Sequence, residues 1–538
     1  MNRRKAVVVM GLVMAAMLCA QSFAITGETR TVKNEDVMKE MDFVITKLNT
    51  PIPTTNQGNV LISANSPEDD FTPTIAVDNN GRIVVAYTHQ LDVFDSAIML
   101  AYSTDNGNTW TASAGLALAS GGLLHSPDMV NIPAAGEVGL GFLGISEGDF
   151  VWGWRIADIS GDPETWSNYP YSWLDSENYE YLAVGYVDVY FLIMNTDDSH
   201  GLTSCPALGY WGPDFSDPPN IGGGYYDGQS ILKTAPASNL DMATGLNRMY
   251  MVMQHDNETT GHSEIAWKAT VTDLDLLFTP GGGPGGMDKY ADIEVWPWQG
   301  YLGKGDFDSR DPEIAASGTN VVVVYMCNDN VFGDWDIKCA YSNDEGDTWS
   351  VSTVVEEHPA DEMYPSVYMS GNSVYVVYVK DGNLYLVKST DGGATWGEPK
   401  QINDVDGTVV AEENAVEIDA GGIVWTDTRN GNRDIYYAPL PAPLITIDVS
   451  GGFGVKATIS NTGSEAAENV DWSIDLSGLV FLGKHAEGTI PSLAPGESTT
   501  VSPGFVLGIG PTTVTVTAGG VTKTASGFVL GPLVLGLS

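Results

Sequence analysis

A ten-residue element occurs three times in this chain with the same residue types at the same offsets. It reads YSTDNGNTWT, YSNDEGDTWS and KSTDGGATWG, and it keeps Ser, Asp, Gly, Thr and Trp in register. Asp suits a tight turn because its carboxylate bonds nearby backbone amides, and Gly accepts a positive φ. Trp fills apolar space between neighbouring layers. The element therefore predicts a repeated structural turn, since a catalytic role would require several identical active sites. The residues concerned are Ser103, Asp105, Gly107, Trp110, Ser342, Asp344, Gly346, Trp349, Ser389, Asp391, Gly393 and Trp396.

The turn element lies within a larger repeated unit. A β-branched run, a turn and a second short run precede it, as in NVVVVYMC and NSVYVVYVK. Seven such units start near residues 70, 125, 177, 228, 308, 361 and 412. Four-strand units at this period predict an all-β protein with a β-propeller, and we expect seven blades, with six as the alternative. The seventh unit supplies only three strands, so an N-terminal strand within residues 59–65 is expected to complete it and close the ring.

On these three elements, the chain resembles the sialidase-like (BNR repeat, Asp-box) propeller superfamily over residues 59–438. The resemblance implies the fold, and it implies no activity, because Asp-boxes also occur in propellers that are not sialidases. A sialidase would bind a carboxylated sugar through three arginines, use a tyrosine paired with a glutamate, and carry an Arg-Ile-Pro element. This sequence has no such element, and Arg82 lies within a strand pattern. No catalytic role is therefore transferred.

Other patterns divide the rest of the chain. A basic start followed by an apolar run predicts a secretory signal peptide, and NEDVMKEMDFVITKL has a helical pattern. Alternating polar and β-branched residues near the C-terminus predict a β-sandwich, which resembles the immunoglobulin-like, CARDB-type modules of archaeal secreted proteins. The expected segments are a signal peptide at 1–24, a partly helical segment and linker at 25–58, the propeller at 59–438, a Pro-rich linker at 439–444 and the sandwich at 445–538.

Charge and cysteine content restrict the partners and the compartment. The chain has 69 Asp and Glu against 24 Lys and Arg, a net charge of −45. Such a surface repels nucleic acid and anionic lipid. No segment after the signal peptide is long enough to span a bilayer, so we expect a secreted, extracellular or cell-surface protein. Cys327 and Cys339 flank a predicted hairpin turn, where an oxidising compartment would permit a disulfide. The oligomeric state does not follow from the sequence.

Acidic residues precede the first strand of several units. The alignment of the units places Asp70, Asp308, Glu362 and Glu412 around the mouth of the central channel. Crowded carboxylates raise each other's pKa or bind a cation. This ring is therefore a candidate site for Ca²⁺, for a cationic ligand or for general acid–base catalysis of glycoside hydrolysis. The alternative is that an acidic protein has acids in all of its loops.

The stretch GDFDSRDPE adds further candidates. Asp306, Asp308 and Asp311 are the candidate Ca²⁺ ligands, although no cofactor is required. Arg310 and Asp311 are candidates for binding a ligand. The candidate aromatic binding residues are Trp211, Trp296 and Trp298, which stand in stretches that look irregular. Exposed rings on loops indicate binding, and the alternative is that these rings pack beneath the same loops.

Three functions are compatible with these features. The first is a propeller that recognises an extracellular glycan or surface protein through its loops, and it is the interpretation that we favour. The second is a glycoside hydrolase, which would require two convergent carboxyls in a cleft lined by aromatic residues. The third is a structural envelope protein. An enzyme is not favoured, because the residues that a sialidase needs are unmatched.

Overall fold

The computed structural model describes residues 39–40, 43–46, 59–63, 67–112, 115–118, 121–132, 137–146, 149–157, 171–175, 181–187, 190–197, 205–212, 222–226, 237–257, 260–271, 298–303, 305–355, 359–463 and 465–537. All regular structure in these residues is β. They contain no helix, and hence none long and apolar enough to cross a membrane. This confirms the predicted all-β fold class.

The strands up to residue 438 form seven antiparallel sheets, which we number I to VII. Sheet I contains Asp70–Val77, Ile83–Gln90, Ser96–Ser103, and an outer strand in two pieces, Thr111–Ala112 and Gly115–Leu118. Sheet II contains Leu123–Ile132, Glu137–Ser146, Asp149–Ala157 and Tyr171–Asp175. Sheet III contains Leu182–Val187, Tyr190–Asp197, Cys205–Gly212 and Gly222–Tyr226. Sheet IV contains Ala237–Thr244, Arg248–Asn257, His262–Val271 and Trp298–Leu302. Sheet V contains Ser309–Ser317, Asn320–Cys327, Asp336–Ser342 and Ser350–Thr353. Sheet VI contains Met363–Ser370, Ser373–Lys380, Asn383–Ser389 and Lys400–Gln401. Sheet VII contains Val416–Asp419, Gly422–Asp427, Asp434–Ala438 and Val60–Leu61.

The seven sheets close into a ring. The first strand of each sheet contacts the first strand of the next, and that of sheet VII contacts that of sheet I. Sheet VII is completed by Val60–Leu61, in which Val60 lies opposite Tyr437. The backbone N–H of Ile62 adds a hydrogen bond of 2.9 Å to the carbonyl of Ile435. This N-terminal strand pairs with the edge of Asp434–Ala438 that would otherwise be open. The fold is therefore the predicted β-propeller.

Apolar cores fill the spaces between neighbouring sheets, and the valine run of sheet V shows why. Successive side chains of a strand point to opposite faces. Val322 and Val324 therefore pack toward sheet VI, whereas Val321 and Val323 pack toward sheet IV. Because both faces of the strand are buried, its sequence is continuously apolar instead of alternating.

The N-terminal segment differs from the helix expected over residues 34–48. Lys39–Glu40 pairs with the outer strand of sheet II, and Phe43–Thr46 pairs with the piece Gly115–Leu118 of sheet I. An isolated helix of this length is marginal in water. The unpaired backbone groups of a sheet edge offer the segment hydrogen bonds that a short helix cannot match. The signal-peptide prediction lies outside the described residues.

The C-terminal region forms two sheets over one shared core, which includes Val455, Ile474 and Val514. The smaller sheet contains Ile445–Ser450, Lys456–Asn461 and Ser498–Val501. The larger contains Gly452–Phe453, Leu533–Leu535, Val521–Gly531, Leu507–Ala518, Ala467–Leu476 and His485–Leu493, with Val480–Leu482 beside Leu507–Ala518. The assignment of this sandwich to the immunoglobulin-like class stays a prediction.

The predicted disulfide is not formed, because both cysteines are free and buried. Cys339 lies opposite Val324, three residues before Cys327 in the neighbouring strand. An odd offset places two side chains on opposite faces of a sheet. Cys327 accordingly packs in the core toward sheet IV and Cys339 in the core toward sheet VI. The error in the prediction was one of register.

Candidate functional site

The three repeated elements form the same hydrogen-bonded turn between the third and fourth strands of sheets I, V and VI. In sheet V, the hydroxyl of Ser342 donates to Asp344 at 2.7 Å and accepts from the N–H of Gly346 at 2.9 Å. The hydroxyl of Thr348 donates to Asp344 at 2.6 Å. The other two copies repeat these bonds. These bonds, led by that from Thr348, lower the pKa of Asp344 to about 2, so the carboxylate is a fixed acceptor.

Each of these turns also contacts the preceding sheet. The ring of Trp110 in sheet I lies 4.9 Å from that of Tyr437 in sheet VII. Trp349 in sheet V lies 5.3 Å from Trp267 in sheet IV. The indole N–H of Trp396 in sheet VI donates to a serine hydroxyl of sheet V at 3.0 Å. The turns therefore connect neighbouring sheets, and nothing in their geometry is catalytic.

A backbone irregularity recurs at the start of the first strands. Non-glycine residues there adopt a positive φ in six sheets, between 47° and 56°. In five of these sheets the pairing register with the second strand shifts beside them, which is the signature of a β-bulge. The six residues are Thr72, Ser126, Asn239, Asp311, Tyr364 and Asn414. The repeated bulge sets which side chains of the first strands enter the central channel.

The channel contains a cavity of about 320 Å³ walled by first strands of all seven sheets. Its lining includes Asp128, Asp241, Glu313 and Glu417, none of which was a predicted site residue. A signal for three of them was present in the sequence. The residue two positions after the positive-φ residue is polar inside an otherwise apolar strand in FTPTIAV, SPDMVNI, SNLDMAT, DPEIAAS and YPSVYMS.

These polar residues connect consecutive first strands. Asp128 accepts the N–H of Val184 at 2.7 Å, which joins sheet II to sheet III. Asp241 accepts the N–H of Ile314 at 2.7 Å, which joins sheet IV to sheet V. Three more bonds of this kind join sheets I to II, VI to VII and VII to I, with acceptors on Thr74, Ser366 and Glu417. A hydroxyl serves in two of the positions, so the bond itself needs no charge.

Burial controls the protonation of the channel acids. It raises the pKa of Asp128 to about 6 and that of Asp241 to about 7, and the negative charge of Asp128 adds to the shift of Asp241. Burial, with the charge of Asp241, also raises the pKa of Glu313 well above its ordinary value. The pKa of Glu417 is also raised well above its ordinary value, by burial and by the negative charge of Asp128. Burial therefore disfavours the charged form of each of these acids, and the described lining of the channel contains no aromatic residue on which a sugar could stack.

The predicted ring of acids does not line the cavity. Asp70 has no exposed surface and bonds His89 at 2.7 Å, and burial raises its pKa to about 6. Glu362 is also fully buried, 3.2 Å from the ammonium of Lys380. Burial, reinforced by the charge of Asp336, raises the pKa of Glu362 to about 8. Both carboxyls lie where a first strand meets a second strand and are closed to a ligand.

The other predicted acids do reach the surface, but they do not converge. Asp308 accepts from His262 at 3.2 Å and from the N–H of Ser263 at 3.1 Å. Glu412 is half-exposed and pairs with Arg433 at 2.6 Å.

The expected Ca²⁺ ligands have separate surroundings. Asp306 is exposed, whereas Asp311 is buried against Asn239 at 3.0 Å and burial raises its pKa to about 8. In the described part of the chain, no group of three or more His, Cys, Asp or Glu is placed to hold a metal ion.

The predicted aromatic residues are placed differently from expectation. Trp211 lies in the strand Cys205–Gly212 and Trp298 begins the strand Trp298–Leu302, so neither is in an irregular stretch. The ladders to neighbouring strands impose extended structure on segments whose Gly and Pro content looked irregular. Trp296 lies outside the described residues.

One face of the propeller carries most of its exposed apolar side chains. We call it the loop face, formed by loops joining second to third strands and by connections between sheets. Seven of the ten exposed large hydrophobic residues of the described propeller lie there. They are Leu91, Val93, Phe94, Phe307, Val331, Phe332 and Val405. Isolated exposed apolar residues are ordinary, but their concentration on one face makes the loop face the candidate site.

Two loops of this face are built alike. Phe94 is 78% exposed and follows Val93, and Phe332 is 53% exposed and follows Val331. The side chain of Asp92 accepts the N–H of Phe94 at 2.7 Å. That of Asn330 accepts the N–H of Phe332 at 2.8 Å. The turns fix both Val-Phe pairs in the same outward position, which lowers the entropy lost on binding.

Charged candidates lie beside the second of these loops. The guanidinium of Arg310 lies 5.3 Å from the ring centre of Trp335 and 3.4 Å from the carboxylate of Asp308. The backbone N–H of Trp335 donates to Asp361 at 3.0 Å. Arg310 is thus a surface cation over the ring of Trp335, which belongs to the loop that carries exposed Phe332. The loop face here combines apolar rings with carboxylates.

Comparison with known proteins adds the following. No family model and no curated protein matches the chain. Among solved structures, an α-L-arabinofuranosidase from Fusarium graminearum is 12% identical to this chain. The match covers 71% of this chain and 98% of the arabinofuranosidase chain, with a TM-score of 0.38. The β-propeller domain of the Trilobed protease from Pyrococcus furiosus is 12% identical; the match covers 68% of this chain and 91% of that one, with a TM-score of 0.37. A mutant Trypanosoma rangeli sialidase is 10% identical; the match covers 66% of this chain and 84% of that one, with a TM-score of 0.29. At such identities and TM-scores the matches carry no information on activity.

Proposed function

We propose that this chain is a secreted or cell-surface propeller that recognises an extracellular glycan or protein through its loop face. The supporting observation is the pair of Val-Phe loops, on sheets I and V, held outward by the same side-chain turn. Exposed aromatic rings beside carboxylates suit the apolar faces and hydroxyl groups of sugars. The channel is less suited, because its acids already bond backbone groups and its described lining has no aromatic residue.

A glycan array probed with the labelled full chain tests this proposal, with a set of extracellular proteins spotted beside the glycans. The double variant Phe94→Ser/Phe332→Ser removes both rings from the loop face. We expect it to lose at least 10-fold in affinity for any ligand that the unmodified chain binds, because exposed rings dominate contact energies. Leu246→Ser/Val351→Ser is the matched control, since these exposed residues lie outside the loop face. Equal losses in both double variants, or unchanged binding in the first, would refute the role of the loops.

A glycoside hydrolase is the second candidate, and one observation favours it. Glu362, with a pKa of about 8, is protonated at neutral pH, as a general acid must be. Its complete burial keeps it from a substrate in this conformation. Release of chromophore from aryl glycosides, abolished by Glu362→Gln, would establish the hydrolase in place of the binding protein.

A further inference from the structure

The outer face of the larger C-terminal sheet changes character along its length. In one half it is polar, with Thr517 opposite Thr522 and Thr515 opposite Thr524. The hydroxyls of Thr517 and Thr522 lie 3.0 Å apart. Such a face is normal for a sheet that meets water on one side. The other half does not follow this pattern.

In that half, a row of four apolar residues crosses four strands. Phe453 lies opposite Leu533, Leu533 opposite Leu530, and Leu530 opposite Ile509. Phe453 is 82% exposed, and Leu530 and Ile509 are each 52% exposed. Side chains opposite one another in an antiparallel sheet share a face, so the row is continuous.

Parallel rows extend this surface on both sides. Two residues along the strands, Leu535 lies opposite Phe528, and Phe528 opposite Pro511. On the other side, Leu482 lies opposite Leu507. The residues between the rows, Val529 and Val534, point inward and are 1% exposed.

Three more exposed residues lie next to these rows. Phe481 is in the short strand Val480–Leu482, Leu479 directly precedes that strand, and Phe505 stands two residues before Leu507. We call the rows and these three residues together the C-terminal patch.

The patch is large enough for a specific interface. Nine of its large hydrophobic side chains are between 44% and 82% exposed. At typical side-chain areas they present on the order of 1,000 Å², against about 800 Å² per partner in a standard protein interface. A contiguous apolar area of this size is rare on a monomer in water.

The distribution of acidic residues favours a second copy of this chain as the occupant. The chain carries a net charge of −45, so most pairs of its surfaces repel each other. No Asp or Glu occurs after Glu497, and the segment 477–483 has none. Two sheet faces can pack on each other, and an isologous dimer brings two identical faces together. A lipid bilayer fits less well, since an anionic membrane surface would repel the rest of this acidic molecule.

We propose that the C-terminal patch is the interface of a homodimer, formed face to face by the larger sheets of two copies. Sedimentation of the full chain between 0.5 and 50 μM tests this. We expect twice the 57.4 kDa of one chain at the upper concentrations. Raising NaCl from 50 to 500 mM should tighten the dimer, because salt screens the repulsion between copies and strengthens apolar contact.

Leu530→Asp places a carboxylate near the centre of the interface on both copies. We expect at least a 100-fold weaker dimer, since each charge would be buried beside a like charge. Thr524→Asp is the matched control, as it adds the same charge to the polar half of the same face. Circular dichroism and the melting temperature establish that both variants fold, and Phe453→Ser serves as a second, uncharged test with the same expected direction.

A monomer at 50 μM would overturn the proposal, whether or not the chain sediments with phosphatidylcholine vesicles. Equal effects of Leu530→Asp and Thr524→Asp would overturn it too, because the interface would then not be the apolar half. The dimer is independent of the proposed function: Phe94→Ser/Phe332→Ser should leave it intact.

Discussion

At the scale of single residues, polar groups in this propeller act mainly between sheets. Near the channel, carboxyl and hydroxyl oxygens accept backbone N–H groups of the next first strand, as Asp128 does from Val184. In the repeated turns between third and fourth strands, residues pack against the preceding sheet. Gly107 adopts φ +80° with the ring of Tyr437 against it, in space that a Cβ atom would occupy. The same ring thus explains both the glycine and the neighbouring tryptophan of that turn.

Glu362 allows a test of how burial affects stability. Its pKa is raised from 4.5 in the unfolded chain to about 8, so the folded state holds a proton that the unfolded state releases between those values. Stability therefore falls as pH rises from about 4.5 to 8, and the full penalty remains above pH 8. Glu362→Gln resembles the protonated acid, and we expect it to stabilise the fold by about 1 to 3 kcal/mol at pH 8.5 with little effect at pH 4.5.

Urea denaturation at the two pH values measures this difference. Glu412→Gln is the control, because it makes the same substitution at a carboxylate that is half-exposed. A Glu362→Gln variant that is destabilised equally at both pH values would show that the carboxylate pairs with Lys380 throughout and is never protonated.

At the scale of elements, ring closure depends on a short N-terminal segment. Residues 59–63 supply the fourth strand of sheet VII, and Ile62 has no exposed surface. It packs with Ile75 of sheet I and Ile435 of sheet VII. The segment therefore pairs with a strand nearly 380 residues later in the chain and so joins the last sheet of the ring to the first.

Ile62→Ala removes buried methyl groups at this junction. We expect a loss of about 2 to 4 kcal/mol in the free energy of unfolding, from lost burial and the cavity left behind. Tryptophan fluorescence in urea reports it, since Trp425 lies buried in sheet VII. Val93→Ala, at an exposed loop position, should change the same quantity by under about 0.5 kcal/mol. A comparably small effect of Ile62→Ala would mean that sheet VII does not depend on this segment.

Strands and turns could be predicted because their signals are local: a valine run and an Asp-Gly turn each reflect the chemistry of neighbouring residues. Closure was predicted in another way, by counting the strands of each repeated unit and finding the seventh one short. What failed depended on register. The predicted alignment placed Asp70 and Glu362 at equivalent positions, at the start of a first strand. Their side chains, however, bond His89 and Lys380 and do not line the channel. A one-residue shift moves a side chain to the other face, and the bulges introduce such shifts.

At the scale of the whole molecule, two surfaces differ from the acidic remainder. The loop face combines exposed rings with carboxylates, and the C-terminal patch is apolar and free of acids. The sandwich also contacts the propeller, through Lys388 and Glu465 at 3.0 Å. The two surfaces lie on different domains, so ligand binding and self-association can be tested separately.

The net charge of −45 makes the stability of the whole chain depend on salt. Like charges repel more in the compact state than in the unfolded chain. The Debye length falls from about 30 Å at 0.01 M to about 8 Å at 0.15 M salt, so screening should raise the melting temperature by about 2 to 5 °C over this range. Calorimetry with NaCl and with choline chloride should give the same curve, because screening depends on ionic strength and not on the cation. If 1 mM CaCl₂ alone produced the rise that 0.15 M NaCl produces, a specific calcium site would be responsible.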